Sequence, residues 1–60
     1  LSPWEYLSRL RIARSVELLE QSALSINEIA RQVGFRDQAY FCRVFRRIQG
    51  FPPSKLRTAK

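Results

Sequence analysis

The side chains in this chain that are best suited to bind a ligand recur at helical spacing in its second half. Four positions repeat at i, i+3, i+4 and i+7, which places them on one face of a helix. They are Ala39, Cys42, Arg43 and Arg46, flanked by Gln38 and Arg47. Arginine can form two parallel hydrogen bonds with guanine or phosphate, and glutamine can do so with adenine. The chemistry that this face favours is therefore hydrogen bonding to bases and phosphates.

The sequence offers little support for catalysis or metal binding. It contains no histidine and one cysteine, Cys42. We find no pair of carboxylates on a shared helical face, no glycine-rich phosphate loop and no metal-ligand cluster. Because Cys42 has no neighbouring base, a small neutral surface residue is a better interpretation than a redox sensor. We therefore predict that the chain is not an enzyme, has no catalytic residue and needs no cofactor or metal.

Length and charge limit the classes of partner. A chain of 60 residues forms one domain at most, and a domain of this size buries only about 60% of its unfolded surface. It carries 11 Lys and Arg against 5 Asp and Glu, a net charge of +6, and nine of the cationic residues are arginine. This balance favours a polyanion without separating DNA from RNA or an anionic membrane surface. No apolar run approaches the roughly 18 residues of a membrane span, and a lone cysteine suits a reducing cytoplasm.

A helix that exposes a basic face needs an apolar face on its opposite side to pack against a core, and the same segment contains one. Four apolar residues share helical spacing on the opposite side. They are Phe41, Val44, Phe45 and Ile48. Together the two faces predict a helix over about 37–49 that ends at Gly50. The stiff segment Phe51-Pro52-Pro53 then predicts a corner, followed by a short helical turn over about 54–58.

A capping box at Ser2 and Glu5 predicts that a long helix begins the chain. Because no Gly or Pro interrupts the following residues, this helix can run to about Gln21. Its apolar residues surround more of the helix axis than one narrow stripe, which indicates more than one neighbour. We expect Trp4 and Tyr6 to pack against such neighbours rather than to stack on bases.

A second capping box, formed by Ser25 and Glu28, predicts a short helix over about 26–33. Its carboxylate is also a candidate partner for a cation of the first helix. We expect Arg11 to form a structural ion pair, with Glu17 or Glu28 as the alternatives.

The segment that joins the short helix to the two-faced helix is typical of a helix-turn-helix. Ala30 is small enough for the helices to cross closely, and Gly34 supplies a φ angle that a Cβ atom would penalise. A short helix, a turn containing glycine and a second helix form this motif, whose second helix enters the major groove of DNA. The residues predicted to support the turn and core are Ala30, Gly34, Phe35, Phe41 and Phe45.

This motif assigns predicted roles to the outward side chains. Residues near the N-terminus of a recognition helix face base edges, and residues near its ends face phosphates. The predicted base-contacting residues are Gln38, Ala39, Cys42 and Arg43. The predicted phosphate-contacting residues are Arg36, Arg46 and Arg47. The alternatives are a solvated basic face and a basic amphipathic module that binds a membrane surface or a partner protein.

The same residues carry a resemblance to a known family. Over nearly its whole length the sequence resembles the signature of the AraC/XylS family of bacterial transcription regulators. The matching residues are Ile29-Ala30, Gly34-Phe35, Tyr40-Phe41, Phe45-Arg46-Arg47, Gly50, Pro53 and Arg57. The residues that resemble the family's linker helix are Ser2-Pro3, Tyr6-Leu7, Arg11-Ile12 and Leu18-Leu19. Their order and spacing are more specific than a generic helix-turn-helix match.

The resemblance implies an all-α fold with a homeodomain-like three-helix core, a long N-terminal linker helix and a short C-terminal helical turn. In this family a long helix joins two helix-turn-helix units. The resemblance therefore implies a linker helix over 1–22 and the second unit over 23–60, with the first unit before Leu1. The excess apolar surface of the first helix would then face that missing unit.

The resemblance also implies a function. It indicates sequence-specific binding of double-stranded DNA by a cytoplasmic bacterial transcription regulator, with no membrane partner. An effector ligand would act only through a missing domain, and a contact with RNA polymerase fits the family. The resemblance favours an activator, although the residues themselves do not separate activation from repression.

Three residues depart from the family pattern. Arg36 stands where the family often has a small capping residue, so the cap of the recognition helix is expected to be weaker or to move to Asp37. Leu56 replaces a common aromatic residue, which makes the packing of the last turn less certain. Ser15 replaces a common alanine, which is a minor change.

Overall fold

Four helices make up the part of the chain that the computed structural model describes, residues 2–57. The helices are α1 (Pro3–Gln21), α2 (Ile26–Gln32), α3 (Gln38–Gln49) and α4 (Ser54–Arg57). No strand occurs within those residues, and the all-α prediction is confirmed. The predicted ends of the first three helices agree with the structure to within one residue. The predicted final residue of the last turn, Thr58, lies outside the described residues.

The start of α1 confirms half of the predicted capping box. The Glu5 backbone N–H donates to the Ser2 hydroxyl over 3.1 Å, and Pro3 occupies the first helical position. The reciprocal half of that prediction is wrong. The Glu5 carboxylate accepts from the Arg9 guanidinium one turn later, at 3.4 Å, and both side chains are largely exposed. Such an exposed pair contributes little to stability.

The start of α2 has a complete capping box. The Glu28 N–H donates to the Ser25 hydroxyl over 3.1 Å, and the Ser25 N–H donates to the Glu28 carboxylate over 2.9 Å. The backbone hydrogen bond from Ser25 is the main reason why the pKa of Glu28 lies below its usual value, since it favours the ionised form. Local capping thus fixes where this short helix begins.

The core lies where α1, α2 and α3 meet. Its buried members are Ile12, Leu19, Ile29, Ala30, Val33, Phe35, Phe41, Val44 and Phe45. Within it, phenylalanine rings form a continuous series from the turn to the corner after α3. The ring centroids are 5.4 Å apart for Phe35 and Phe41, 5.7 Å for Phe41 and Phe45, and 6.0 Å for Phe45 and Phe51. These tilted and edge-to-face arrangements are favourable for aromatic rings. The three helices therefore pack against one core that contains these rings.

The last turn, α4, contacts the C-terminal end of α1. Arg57 donates to the carbonyl oxygens of Leu19 (3.2 Å) and Ser22 (3.4 Å), which belong to the C-terminal end of that helix. Carbonyls at a helix end have no intrahelical partner, and a cation is favourable there. Leu56 packs against the core despite replacing an aromatic residue.

Ser15 is fully buried on α1 and is not left unsatisfied. Its hydroxyl donates to the Ile12 carbonyl over 2.6 Å. A small side chain that hydrogen-bonds within its own helix can be buried at little cost, so this departure from the family pattern does not disturb the packing.

The N-terminal half of α1 exposes several large apolar side chains. They are Trp4 (45%), Tyr6 (59%), Leu7 (45%) and Leu10 (52%). Tyr6 is exposed among the described residues, so the prediction that it packs against a neighbour is not confirmed. The broad apolar character of α1 is real, but the described residues cover only one side of it.

Candidate nucleic-acid interface

The turn before α3 is set by backbone hydrogen bonds and one glycine. Phe35 N–H donates to the Ala30 carbonyl over 2.8 Å, and Gly34 N–H donates to the Arg31 carbonyl over 3.1 Å. Gly34 has a φ of 109°, which a residue with a Cβ atom rarely adopts. Ala30 is fully buried and Phe35 is 6% exposed. The roles of these residues in the turn and core therefore agree with the structure.

The first residues of α3 are fixed by Asp37. Its carboxylate accepts from the Tyr40 N–H over 2.8 Å, and its backbone is extended as an N-cap requires. The cap lies on Asp37 rather than on Arg36, as the departure from the family pattern led us to expect. The helix accordingly begins at Gln38, one residue later than the predicted boundary.

Burial divides α3 into the two predicted faces. Phe41 and Phe45 are fully buried and Val44 is 3% exposed. The outward residues Gln38, Ala39, Arg43, Arg46 and Arg47 are exposed, and Cys42 is half-buried. An inner face that packs and an outer face that meets solvent are what a recognition helix needs, because binding then does not disturb the core.

The outer face lines one open groove. Its lining residues are Ala39, Cys42, Arg43, Arg46, Arg47 and Pro52. Three predicted base-contacting residues and two predicted phosphate-contacting arginines are thus brought together. Gln38 and Arg36 are exposed but do not line this groove. Pro52 was not predicted to line this groove, because a proline in a corner carries no sequence signal of which side it faces.

Arg47 is positioned by a residue of α1. Its guanidinium carbon Cζ lies 5.7 Å from the centroid of the Trp4 ring, a cation–π arrangement. This contact joins the start of α1 to the end of α3. Trp4 is predicted from the sequence to be a packing residue, but its partner Arg47 could not be identified there because the two positions are far apart in the chain.

Arg11 also contacts the turn before α3, although not as predicted. Its Nη1 donates to the Gly34 carbonyl over 3.3 Å, and its Cζ lies 5.9 Å from the Phe35 ring centroid. The predicted ion pair with Glu17 or Glu28 is therefore wrong. The Glu28 carboxylate is instead held in the capping box of α2, where it accepts from Ser25.

Cys42 is a neutral group in this groove. Partial burial raises the pKa of its thiol above the usual value, because removal of water disfavours the thiolate. A raised pKa makes the thiol less reactive. Cys42 therefore offers the groove a small, weakly polar surface.

Among residues 2–57, no group of Cys, Asp and Glu side chains is placed to hold a metal ion. None of the helices in the described part of the chain combines the length and apolar character needed to cross a membrane.

Comparison with known proteins adds independent findings. A family model described as a helix-turn-helix domain matches residues 1–59. The uncharacterized HTH-type transcriptional regulator YpdC of Escherichia coli K12 is 45% identical over 51 residues, which cover 85% of this chain and 18% of that protein. The Msm operon regulatory protein of Streptococcus mutans is 46% identical over 57 residues, which cover 95% of this chain and 20% of that protein.

The activator RhaR of Salmonella arizonae is 45% identical over 53 residues, which cover 88% of this chain and 19% of that protein. The chain thus spans about a fifth of the length of these curated relatives. Among solved structures, the C-terminal domain of the two-component response regulator yesN from Fusobacterium nucleatum superposes with a TM-score of 0.90 at 33% identity. That match covers 95% of this chain and 55% of the solved chain.

Proposed function

Because the chain belongs to the AraC/XylS family of helix-turn-helix regulators, we propose that it binds double-stranded DNA in a sequence-specific manner as part of a bacterial transcription regulator. In this proposal α3 enters the major groove with its outer face toward the bases. The observation that supports it best is the exposed basic groove on α3, which lies directly opposite a fully buried aromatic face.

The outer face of α3 suggests which of its side chains contact bases. Arg43 has the length and planar donor geometry to read guanine, and Gln38 can read adenine. Ala39 and the neutral Cys42 are suited to meet a thymine methyl group. These four residues are the proposed base contacts.

Arginines near the ends of α3 are the proposed phosphate contacts. Arg36 precedes the helix, and Arg46 and Arg47 occupy its last turn. Phosphate contacts fix the register of a protein on the duplex and carry no sequence information directly. The contact with Trp4 restricts the Arg47 side chain, which lowers the entropy that it loses on binding a phosphate.

We further propose that residues 1–22 act as a linker helix and residues 23–60 as the second of two helix-turn-helix units. The exposed apolar side chains of α1 support this division, because a soluble helix does not usually leave a group such as Tyr6, Leu7 and Leu10 accessible without a partner. The solved yesN domain is nearly twice as long as this chain, which leaves room for a first unit against these side chains of α1.

The wider roles of the whole regulator are also proposals. Relatives that carry this domain are several times longer and include a protein named as an activator. An effector ligand would act through a domain outside this chain, and activation would involve a contact with RNA polymerase.

A membrane-surface role for α3 is less well supported. An interfacial helix inserts its apolar face among lipids, whereas Phe41, Val44 and Phe45 are already buried in the core. Only the basic side of α3 remains available, and it suits a polyanion such as DNA.

The test is a selection from random DNA duplexes with the full-length protein, followed by titration of the selected duplex. If about four phosphates are neutralised, log K should fall with log salt with a slope near −4. An absence of salt-dependent duplex binding, or tighter binding to anionic vesicles than to DNA, would contradict the proposal.

Arg43→Ala and Arg46→Ala then separate the two proposed kinds of contact. Loss of Arg43 should relax the preference at one base position and reduce affinity for the selected site by about 1–3 kcal/mol. Loss of Arg46 should weaken all sequences alike and make the salt slope shallower by about 1. A preferred sequence that is unchanged in the Arg43 variant would show that Arg43 does not read a base.

A further inference from the structure

A single side chain of α1 contacts two residues of the turn that precedes α3. Arg11 donates through Nη1 to the Gly34 carbonyl over 3.3 Å, and its guanidinium lies 5.9 Å from the centroid of the Phe35 ring. The two partners are adjacent and belong to the turn of the helix-turn-helix. Arg11 is therefore in contact with the recognition unit while it lies on the helix that precedes that unit.

Because Gly34 has no Cβ atom, the Arg11 guanidinium can lie close to its backbone. A Cβ atom built on Gly34 would lie 3.0 Å from both Cζ and Nε of Arg11. The glycine at the other end of α3 differs, because a Cβ atom on Gly50 would meet nothing within 4 Å. Both glycines have a positive φ, but only the one before α3 also accommodates an arginine from another helix.

Phe35 connects this contact to the first turn of α3. Its ring centroid lies 5.8 Å from that of Tyr40 in an edge-to-face arrangement, and 5.4 Å from that of Phe41. A shift of the Phe35 ring would move both neighbours, because packed aromatic side chains do not deform independently. Tyr40 and Phe41 belong to the first turn of α3, which also carries Gln38 and Ala39, two of the proposed base contacts.

We propose that Arg11 is a positioning residue for DNA recognition, which fixes the orientation of the first turn of α3 without touching the bases. The inference rests on the proposed DNA-binding function. Its physical basis is that a flat guanidinium, held by one hydrogen bond and one ring contact, has few alternative arrangements. Without it, the turn can adopt a wider range of orientations, and fewer of these align the base contacts.

The experiment measures specificity rather than affinity alone. Arg11→Met and Arg14→Met are made in the full-length protein, and each is titrated with the selected duplex and with a scrambled duplex at the same salt concentration. Arg14 is the matched control, because it is exposed on the same helix. Within residues 2–57 it has no hydrogen bond or ion pair. Both variants lose one positive charge, so a general electrostatic effect is the same in each.

For Arg11→Met we expect the ratio of selected to scrambled affinity to fall on the order of tenfold, which corresponds to the loss of about one well-aligned base contact. For Arg14→Met the ratio should not change. A purely structural role would lower the folded fraction and reduce both affinities by the same factor, which leaves the ratio unaltered. An unchanged ratio for Arg11→Met would overturn the inference.

A second variant keeps the test decisive if Arg11→Met does not fold, as judged by circular dichroism. Arg11→Lys retains the charge and a hydrogen-bond donor but lacks the flat guanidinium. A reduced ratio for this variant supports positioning by Arg11, and a wild-type ratio overturns it. If the wild-type protein itself shows no preference for any duplex, the proposed function fails, and that result is distinct from both outcomes.

Discussion

The two faces of α3 experience opposite constraints although they belong to the same 12 residues. The inner face is held by aromatic packing, with Phe41 and Phe45 fully buried. The outer face carries Arg43 and Arg46, which are exposed and make no hydrogen bond or ion pair within the described residues. Substitutions on the inner face should therefore change stability, and substitutions on the outer face should change only binding. One helix can then vary its target without losing its fold.

The largest expected effect comes from the inner face. Phe45→Ala removes a fully buried ring that contacts Phe41 and Phe51, and it should reduce the free energy of unfolding by about 3–5 kcal/mol. Urea denaturation of the full-length protein, followed by circular dichroism, measures this change. Arg46→Ala on the outer face is the control and should stay within about 0.5 kcal/mol. Similar losses for the two variants would show that the faces are not independent.

The next effect distinguishes the two ends of α3. Gly34→Ala and Gly50→Ala each place a Cβ at a positive φ, 109° and 91° respectively, which costs about 1–3 kcal/mol of stability. Only the Gly34 variant also brings a Cβ atom to 3.0 Å from the Arg11 guanidinium, which must then shift by a few tenths of an ångström. We therefore expect a greater loss at Gly34, together with a change in DNA specificity that Gly50→Ala does not produce. Equal effects would mean that φ strain alone explains the glycine before α3.

A smaller effect is expected at the cap between the two faces. Asp37→Ala removes the acceptor of the Tyr40 N–H and should lower stability by about 1 kcal/mol. Asp37→Asn is the matched control, because asparagine retains a side-chain acceptor at this position. Thermal unfolding compares the two variants. If the asparagine variant is destabilised as much as the alanine variant, the carboxylate charge rather than the cap hydrogen bond is important.

The smallest effect concerns pH and a cap outside α3. The pKa of Glu28 is lowered in the folded chain by the Ser25 backbone hydrogen bond. A lowered folded pKa means that its contribution to stability is present above the unfolded value of 4.5 and is lost as the pH falls through the folded pKa. Stability measured from pH 7 to pH 3 should therefore decline less steeply in Glu28→Gln than in the wild type. Sequence preference for DNA, measured at neutral pH, should be the same in both, since this cap does not touch the outer face.

The exposed residues of α1 differ in character from those of α3. The N-terminal half of α1 exposes large apolar side chains, whereas the outer face of α3 is basic. The core needs Ile12 and Leu19 of α1, whereas Trp4, Tyr6, Leu7 and Leu10 remain accessible. This difference is what favours a protein partner for α1 and DNA for α3.

Much of the fold could be predicted because its signals are local. The capping pair Ser25 and Glu28, the left-handed Gly34 and the spacing of the α3 phenylalanines each act within one or two helical turns. The base and phosphate assignments remain predictions, although the structure brings most of those residues into one groove. The capping box predicted at Ser2 was only half correct, because Glu5 has an equally local alternative in Arg9.

By itself the sequence determined the helices, their ends and the two faces of α3, since helical periodicity and capping depend on residues only a few positions apart. Only the tertiary structure decided that Arg11 contacts the turn at Gly34, 23 residues away, that Arg47 lies over Trp4, and that Pro52 borders the groove. Long flexible arginine side chains can reach several partners, and the packing of α1 against α2 and α3 determines which partner is near. The orientation of α3 is therefore a property of the assembled core rather than of any segment alone.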